Sequence, residues 1–243
     1  MARATHVLAD SEATRRDLQN VWGVAEEKIT VLYSGVHERF RPAGADAIAA
    51  ARVAYSLGNA PYVLAVGTVQ PRKNYEMLVR AFRPVAEQLP HNLIIVGGKG
   101  WLDEGLPAEI RRQGLEGRVR SAGFVADADL PALYTAADLF VFPSLYEGFG
   151  LPLLEAMACG APVLSSNASS LPEVVRGPEG DAAALLSPHD EAAWSAAMLR
   201  LLGDAETRRH LTLAGLAQSR RFSWAAAARQ LALLYDSLLA GRR

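Results

Sequence analysis

The middle of the chain, residues 61–222, alternates short apolar runs with segments of helical amphipathic spacing. The apolar runs are bounded by Gly, Pro or Asn, which is typical of buried strands. They predict strands at Tyr62–Val66, Asn92–Val96, Val119–Ala122, Leu139–Phe142, Pro162–Ser165 and, at an edge, Ala182–Leu186. The segments between them predict helices near Tyr75–Glu87, Pro107–Gln113, Ala128–Ala136 and Pro172–Arg176, and a further helix that opens within the stretch 147–156. Strands that alternate with helices form right-handed crossover units, so the expected fold class is α/β with a Rossmann-like, doubly wound parallel sheet.

The two ends of the chain carry a different pattern. A strand within Thr5–Asp10, a helix capped by Ser11 and a strand at Ile29–Tyr33 are predicted first. So small a piece cannot close a core of its own, and it is interpreted as the remnant of a preceding domain. Three C-terminal helices are predicted at 188–202, 204–219 and 224–239. The predicted divisions are a remnant at 1–35, a linker and helix at 36–60, the main domain at 61–222, and a last helix at 223–243 that packs back toward the N-terminal part.

Composition and charge narrow the class of protein. Half of the 243 residues are hydrophobic and 21% are charged, as in ordinary globular proteins. A net charge of −1 gives no electrostatic basis for nucleic-acid binding. Arginine pairs such as Arg15–Arg16 suit a solvated surface, with contact to an anionic membrane as the alternative. No apolar run approaches the roughly 18 residues of a membrane span, so a cytoplasmic location is expected, with peripheral contact at the inner face of the membrane kept open.

Cysteine and histidine usage gives little support for metal or thiol chemistry. Cys159, the one cysteine, lies in an apolar helix segment and is expected to be buried filler rather than a nucleophile. The five histidines are scattered without the spacing of metal ligands, and no metal site is predicted.

The most informative stretch is 147–156, EGFGLPLLEA, which follows a predicted strand. Gly148 and Gly150 permit close approach to a ligand, and Pro152 fits only the first turn of a helix. A helix N-terminus therefore opens at the glycines, with free N–H groups and a positive dipole end suited to a phosphate. Glu147 and Glu155 flank that point and are expected to bind hydroxyls rather than phosphate.

Two other strand ends carry candidate residues. The turn Gly67–Asn74 joins a strand to a helix and contains Arg72 and Lys73, which suit a diphosphate, although such a pair is also common at a solvated helix start. The turn Gly97–Gly98–Lys99–Gly100 matches neither a Walker loop nor a dinucleotide fingerprint, and a plain strand-to-loop turn explains it equally well.

The turn after the third strand offers a surface for a flat base. Gly123–Phe124–Val125 supplies backbone groups, although Phe124 is of a type more often found in the core. Asp127 is interpreted as a hydrogen-bond acceptor or as a cap of the following helix. The polar run 165–170 is either a pocket lining or a plain loop.

Taken together, these motifs resemble the retaining glycosyltransferases of family 4, which have the GT-B fold. The matching segments are the E-x₇-E pair of Glu147 and Glu155, Pro143–Ser144 before it, Arg72–Lys73, and the stretches Tyr33–Val36, Gly160–Val163 and Leu171–Val174. The Gly67–Asn74 and Val96–Trp101 segments look most like the bacterial mannosyltransferases that build surface polysaccharides.

The resemblance implies two Rossmann-like domains facing each other across a cleft, the C-terminal one binding the nucleotide sugar and the N-terminal one the acceptor. This chain is similar to the donor domain plus the last strand, helix and strand of the acceptor domain. The resemblance implies transfer of a hexose, with mannose as one candidate, from GDP-mannose or a UDP-sugar to a glycan or lipid-linked acceptor. It implies no cofactor and no metal, and it leaves the oligomeric state open.

The resemblance implies a role for each position of this chain that matches a functional position of the family. The catalytic set implied by the resemblance is Glu147 on the donor sugar with Lys73 and Arg72 on the diphosphate. Many relatives have an Arg where this chain has Thr68, so Lys73 is the firmer assignment. Glu155 is expected at the ribose hydroxyls and the Val125 backbone at the base. The full donor-binding set is Gly67, Thr68, Gly97, Gly98, Val125, Asp127, Gly148, Phe149, Gly150, Leu151 and Glu155.

Two alternatives remain at this point. One is a nucleotide-sugar-binding module, or a truncated inactive fragment, that needs a separate acceptor domain. The other is a nucleotide-sugar epimerase of the same fold, in which the E-x₇-E spacing would be a coincidence.

Overall fold

A six-stranded parallel sheet forms the centre of the molecule. The structure is a computed structural model that describes residues 4–98, 100, 105–178 and 180–240, so Lys99 and Trp101 of the predicted segments lie outside the described residues. The strands are β1 (Val7–Ala9), β2 (Ile29–Val31), β3 (Tyr62–Val66), β4 (Asn92–Val96), β5 (Val119–Gly123), β6 (Leu139–Phe142), β7 (Val163–Ser166), β8 (Arg176–Gly177), β9 (Gly180–Asp181) and β10 (Ala184–Leu186). The main sheet has the order β10-β7-β6-β3-β4-β5, with every pairing parallel.

Helices connect these strands and continue to the end of the described chain. They are α1 (Glu12–Asn20), α2 (Ala45–Ala54), α3 (Tyr75–Gln88), α4 (Gly105–Arg112), α5 (Leu130–Thr135), α6 (Leu151–Ala158), α7 (Leu171–Val175), α8 (Glu191–Gly203), α9 (Ala205–Ser219) and α10 (Trp224–Ala240). The α/β, doubly wound parallel sheet predicted from the sequence is confirmed.

The two faces of the sheet bury separate apolar clusters. In β3, Leu64 and Val66 belong to the cluster with α5 and α6, whereas Val63 and Ala65 belong to the cluster with α3 and α8. Every residue of this strand is buried, as expected for a central parallel strand covered by helices on both sides. At roughly 25 cal/mol per Å² of apolar surface removed from water, these clusters are the main source of stability.

The strand order creates a switch point beside β3. From β3 the chain moves to β4 and β5 on one side, then crosses back to β6 on the other side. In doubly wound sheets, ligands bind at the carboxyl ends of the strands where the order reverses. The loops after β3 and β6 meet at that crevice, and they contain Lys73 and Glu147.

A small N-terminal unit, β1, α1 and β2, lies against one end of the domain. Its two strands pair in parallel, and Ala9, Leu18 and Ile29 form a separate small apolar cluster. α10 reaches back to this unit, because the Gln230 side chain donates to the Val31 carbonyl (2.9 Å). Tyr33, predicted to end the second strand, lies beyond β2, which ends at Val31.

Candidate functional site

The glycine turns after β3 and β4 lie in direct contact. Gly67 and Gly97 both have positive φ angles, 149° and 152°, and a Cβ on Gly97 would collide with the Gly67 carbonyl. A Cβ on Gly67 would lie 2.8 Å from the Lys73 Cε. Both positions therefore need glycine so that the turns pack and Lys73 folds back over the end of β3.

Lys73 forms a buried ion pair with Glu147. Its Nζ lies 2.7 Å from the Glu147 Oε1, and the two side chains are 6% and 9% exposed. The same Nζ lies 4.7 Å from the centre of the Phe142 ring, a cation–π contact. Arg72, which is 44% exposed, places its Nη1 2.6 Å from the Glu147 Oε2. Two cations therefore meet one carboxylate, and the cluster carries a net positive charge.

Electrostatics keep the Glu147 carboxylate ionised. Burial alone raises its pKa, but the charge and hydrogen bonds of Lys73 and Arg72 outweigh burial, so the pKa of Glu147 lies below its ordinary value. The Arg72 Nη1 also donates to the Tyr146 carbonyl (3.0 Å), and the Leu145 N–H donates to the Arg72 carbonyl (2.8 Å). The loops after β3 and β6 are thus joined through side chains and backbone.

Asn74 fixes this junction, a role that the sequence reasoning missed. Its backbone is left-handed (φ 59°), and its side-chain amide donates to the carbonyls of Pro143 (3.2 Å) and Pro188 (2.8 Å). Asn tolerates this conformation better than most residues. The signal available in the sequence was an Asn directly after Arg72–Lys73 and before a helix.

α6 opens at Gly150, as predicted. Gly150 is the N-cap residue (φ 107°) and Pro152 lies in the first turn. Leu151 is 38% exposed, whereas Phe149 is buried and packs on Tyr33 and Phe222, so only its backbone is available to a ligand. α6 begins four residues after Glu147, so the positive end of its dipole lies close in the chain to the carboxylate that the two cations meet.

Glu155 has a different environment from Glu147. It is half-buried, and its Oε2 accepts a hydrogen bond from the Tyr134 hydroxyl (3.0 Å). Burial raises the pKa of Glu155 above its ordinary value, while the hydrogen bond from Tyr134 opposes the rise. Tyr134 itself is fully buried between Phe40 and Phe140, and nothing in the local sequence around Glu155 identified it as the partner.

The turn after β5 offers an apolar surface. Phe124, which follows the last residue of the edge strand β5, is 78% exposed, so the core alternative for this residue is wrong. Val125 is buried. The exposed aromatic ring beside a fixed backbone is the arrangement expected for contact with a flat ring.

Asp127 is an acceptor rather than a helix cap. It is exposed, and its Oδ2 lies 3.4 Å from the Arg39 Nη1. Asp129, not Asp127, precedes α5, and its carboxylate accepts from the Tyr55 hydroxyl (2.7 Å). The capping alternative for Asp127 is therefore wrong.

The polar run 165–170 supports the loop that contains Glu147. Ser169 has a left-handed backbone (φ 47°), and its hydroxyl accepts from the Glu147 N–H (2.8 Å). The buried Ser170 hydroxyl lies 3.0 Å from the Glu147 carbonyl oxygen and 2.9 Å from that of Phe149. Residues 167–170 form a loop, as one of the two alternatives holds, and its serine side chains also hold the backbone of 147–149.

The N-terminal unit also contacts the loop that contains Glu147. A Cβ on Gly148 would lie 2.6 Å from an Asp10 carboxylate oxygen, so a side chain at this position would displace the Asp10 carboxylate. The Thr14 hydroxyl lies 3.4 Å from the Gly148 carbonyl, and the Tyr146 hydroxyl donates to Asp17 (2.5 Å). Asp10 and Asp17 were not among the predicted site residues, since no local motif marks them.

The structure thus brings the predicted residues into two groups. Gly67, Gly97, Arg72, Lys73 and Glu147 surround the switch point, and Gly98 joins them because its carbonyl accepts from the Val69 N–H (3.1 Å). Thr68 is exposed in the same turn. Glu155, Asp127 and Val125 form the second group on the α5 side, where Asp127 and Arg39 both influence the pKa of Glu155.

Other features of the described chain bear on partners. Cys159 is fully buried and unbridged, as predicted. Within residues 4–98, 100, 105–178 and 180–240, no three His, Cys, Asp or Glu side chains are grouped so as to hold a metal ion. In the same residues, the helices all fall short of the length and hydrophobicity that crossing a bilayer requires.

Comparison with known proteins identifies similar sequences. Residues 60–204 match the protein family described as "Glycosyl transferases group 1". The chain is 47% identical over 172 residues to O-antigen chain mannosyltransferase B of Escherichia coli, covering 70% of this chain and 44% of that protein. It is 37% identical over 229 residues to the serotype-specific mannosyltransferase WbdA of Escherichia coli, covering 92% of this chain and 28% of that protein. The chain therefore spans less than half the length of these two relatives.

Comparison of structures gives the same fold. The structure of HepE from Anabaena in complex with UDP and glucose superposes with a TM-score of 0.86 and 26% sequence identity. The match covers 96% of this chain and 64% of HepE.

Proposed function

Because this chain belongs to the family of group 1 glycosyl transferases, we propose that it supplies the donor site of a retaining hexosyltransferase. The observation that carries the proposal is the buried Lys73–Glu147 pair at the switch point of the sheet, which the exposed Arg72 joins. The preferred donor is GDP-mannose, and the acceptor is a glycan or a lipid-linked glycan. The mannosyltransferase names of the two Escherichia coli relatives support mannose as the sugar.

Lys73 and Arg72 bind the diphosphate of the donor. Both cations contact Glu147, and α6 begins four residues after it. Charge-assisted hydrogen bonds of this kind favour the phosphate most strongly when the leaving group carries its full negative charge. The site therefore stabilises the departing nucleoside diphosphate.

Transfer occurs on one face of the sugar. The bond between the anomeric carbon and the β-phosphate oxygen breaks, the acceptor oxygen bonds to the same carbon, and the acceptor proton passes to the leaving phosphate. Glu147 orients the sugar by accepting hydrogen bonds from its hydroxyls. Its low pKa keeps it an acceptor near neutral pH.

The second group of residues binds the nucleoside. Glu155 accepts hydrogen bonds from the ribose hydroxyls, the Val125 backbone contacts the base, and Phe124 covers it. The UDP in the HepE structure supports a nucleoside diphosphate in a domain of this fold.

A second candidate is a donor-binding module that needs further chain for transfer. The limited coverage of the relatives favours this alternative, since activity of the whole protein requires acceptor contacts. The epimerase alternative gains no support from the named relatives.

Isothermal titration calorimetry of this chain with GDP-mannose, GDP, UDP-glucose and UDP tests the proposal. We expect GDP-mannose and GDP to bind with micromolar affinity and the uridine compounds more weakly. Binding of uridine compounds alone would redirect the base assignment, and absence of binding by all four compounds would overturn the donor-site proposal. A transfer assay with a mannose-terminated acceptor then separates the enzyme from the binding module.

A further inference from the structure

Glu173 joins the N-terminal unit to the domain that carries the candidate site. It lies in α7, and its Oε2 accepts from the Glu12 N–H (2.8 Å) and the Tyr33 hydroxyl (3.0 Å). Its Oε1 accepts from the Ala13 N–H (3.0 Å). Burial and the carboxylate of Glu173 raise the pKa of Tyr33, so its phenol stays a donor.

These contacts complete the N-terminus of α1. The N–H groups of Glu12 and Ala13 belong to the first turn, where a helix offers no internal partner, while Ser11 accepts from the Thr14 N–H. A carboxylate at this end also interacts favourably with the helix dipole. A residue 160 positions away thus satisfies the start of α1, which specifies how the N-terminal unit docks.

The segment that contains Glu173 also holds the Glu147 loop. Ser169 accepts from the Glu147 N–H, and the Ser170 hydroxyl contacts the carbonyls of Glu147 and Phe149. The left-handed backbone of Ser169 shows that this connection is over-determined by its surroundings. Ser169, Ser170 and Glu173 therefore connect α1 to the loop through hydrogen bonds.

α1 touches the loop directly as well. Thr14 and Asp17 contact Gly148 and Tyr146, the residues on either side of Glu147. The contacts form a closed ring from α1 to the loop, to the segment 169–173, and back to α1. A displacement of α1 must therefore alter the loop or break the ring.

We propose that Glu173 is a positioning residue that couples the docking of the N-terminal unit to the placement of Glu147. The consequence is that docking of α1 stabilises the arrangement of Glu147 and its two cations. The role of this coupling in donor binding rests on the proposed donor site. The coupling between α1 and the loop does not depend on that proposal.

Hydrogen exchange of the whole chain, without ligand, tests the coupling first. We expect the Glu173→Ala variant to raise exchange of the amides of 146–149 about tenfold, while β3 and β4 keep wild-type rates. Glu173→Gln retains one acceptor oxygen and should give an intermediate rise. Glu191→Ala is the matched control, because Glu191 pairs with Arg80 on α3, away from the ring. Faster exchange of α1 with unchanged 146–149 would show that Glu173 is only a helix cap and would overturn the proposal.

Exchange with saturating GDP-mannose tests the functional consequence. In the wild type, we expect the donor to slow exchange of both 146–149 and α1. In Glu173→Ala, slowing at 146–149 should remain and slowing at α1 should be lost. Equal slowing of α1 in both proteins would contradict the coupling.

Two further outcomes keep the test decisive. If the wild type binds no nucleotide sugar, the donor-site proposal fails, and the ligand-free experiment still decides the coupling. If Glu173→Ala does not fold, Tyr33→Phe removes one of the three hydrogen bonds and should raise exchange at 146–149 about threefold. No change in Tyr33→Phe would then count against the proposal.

Discussion

The two glutamates of the E-x₇-E pair occupy contrasting environments. Glu147 is buried against Lys73 and Arg72, and their charges hold its pKa below the ordinary value. Glu155 meets the phenol of Tyr134, and burial raises its pKa. One carboxylate is matched to cations and the other to the hydroxyl of a phenol, so the environment and not the residue type distinguishes the proposed diphosphate end from the proposed ribose end.

The largest expected effect comes from removing the Glu147 charge. Glu147→Gln leaves Lys73 buried with a weaker partner, and we expect unfolding free energy to fall by about 3 kcal/mol in urea denaturation at pH 7. Glu191→Gln, which alters a half-exposed pair, is the control. A loss below about 1 kcal/mol would show that the ion pair contributes little.

The pH dependence of stability shows over which pH range the Glu147 carboxylate stabilises the fold. Because the folded pKa of Glu147 is below its ordinary value of 4.5, its stabilisation is present above that pH and is lost as pH falls through the folded pKa. The wild type should therefore converge on Glu147→Gln over the pH window that runs from 4.5 down through the folded pKa of Glu147. A constant difference across that window would contradict the assignment.

Lys73→Met tests the diphosphate end. We expect the affinities for GDP and for pyrophosphate both to fall about 100-fold, since a buried charge-assisted contact to phosphate is lost. Arg83→Met, which removes an exposed arginine of α3, should leave both affinities unchanged. Isothermal titration calorimetry measures both affinities. A change in affinity of less than about threefold would show that the phosphates bind elsewhere.

Glu155→Gln tests the ribose end. The expected result is about a tenfold loss for GDP with unchanged pyrophosphate affinity, because only the nucleoside meets Glu155. Equal losses of affinity for GDP and pyrophosphate would mean that Glu155 does not form a ribose subsite separate from the diphosphate subsite.

Tyr134→Phe is the mildest change. It removes the hydrogen bond that opposes the rise in the Glu155 pKa, so that pKa should rise further and GDP should bind about threefold more weakly. Pyrophosphate binding serves as the internal control. A GDP affinity equal to that of the wild type would show that the phenol only fills the core.

Much of the fold follows from local pattern. The strands Tyr62–Val66, Asn92–Val96 and Leu139–Phe142 begin and end as predicted, because apolar runs bounded by turn residues leave little freedom in a sheet covered on both faces. Whether Phe124 is exposed or in the core stayed open in the sequence, because apolarity does not show that a residue follows an edge strand.

The sequence predicted the position of the candidate site but not the partners of its charged residues. Charged residues at strand ends and glycines before a helix marked its position, because the topology brings such ends together. The partners that set each environment, Asn74, Tyr134, Ser169 and Glu173, come from distant segments and are chosen by tertiary packing.

The crossing of the chain near Val36 limits how such proteins can be recombined. Val36 and Ser223 form a parallel bridge, and Gly35 packs against the Trp224 backbone with no space for a side chain. α10 then reaches the N-terminal unit through Gln230. A chimera that exchanges the first unit must therefore cut the chain at two places, near 36 and near 223, and transplant α10 with its original neighbour.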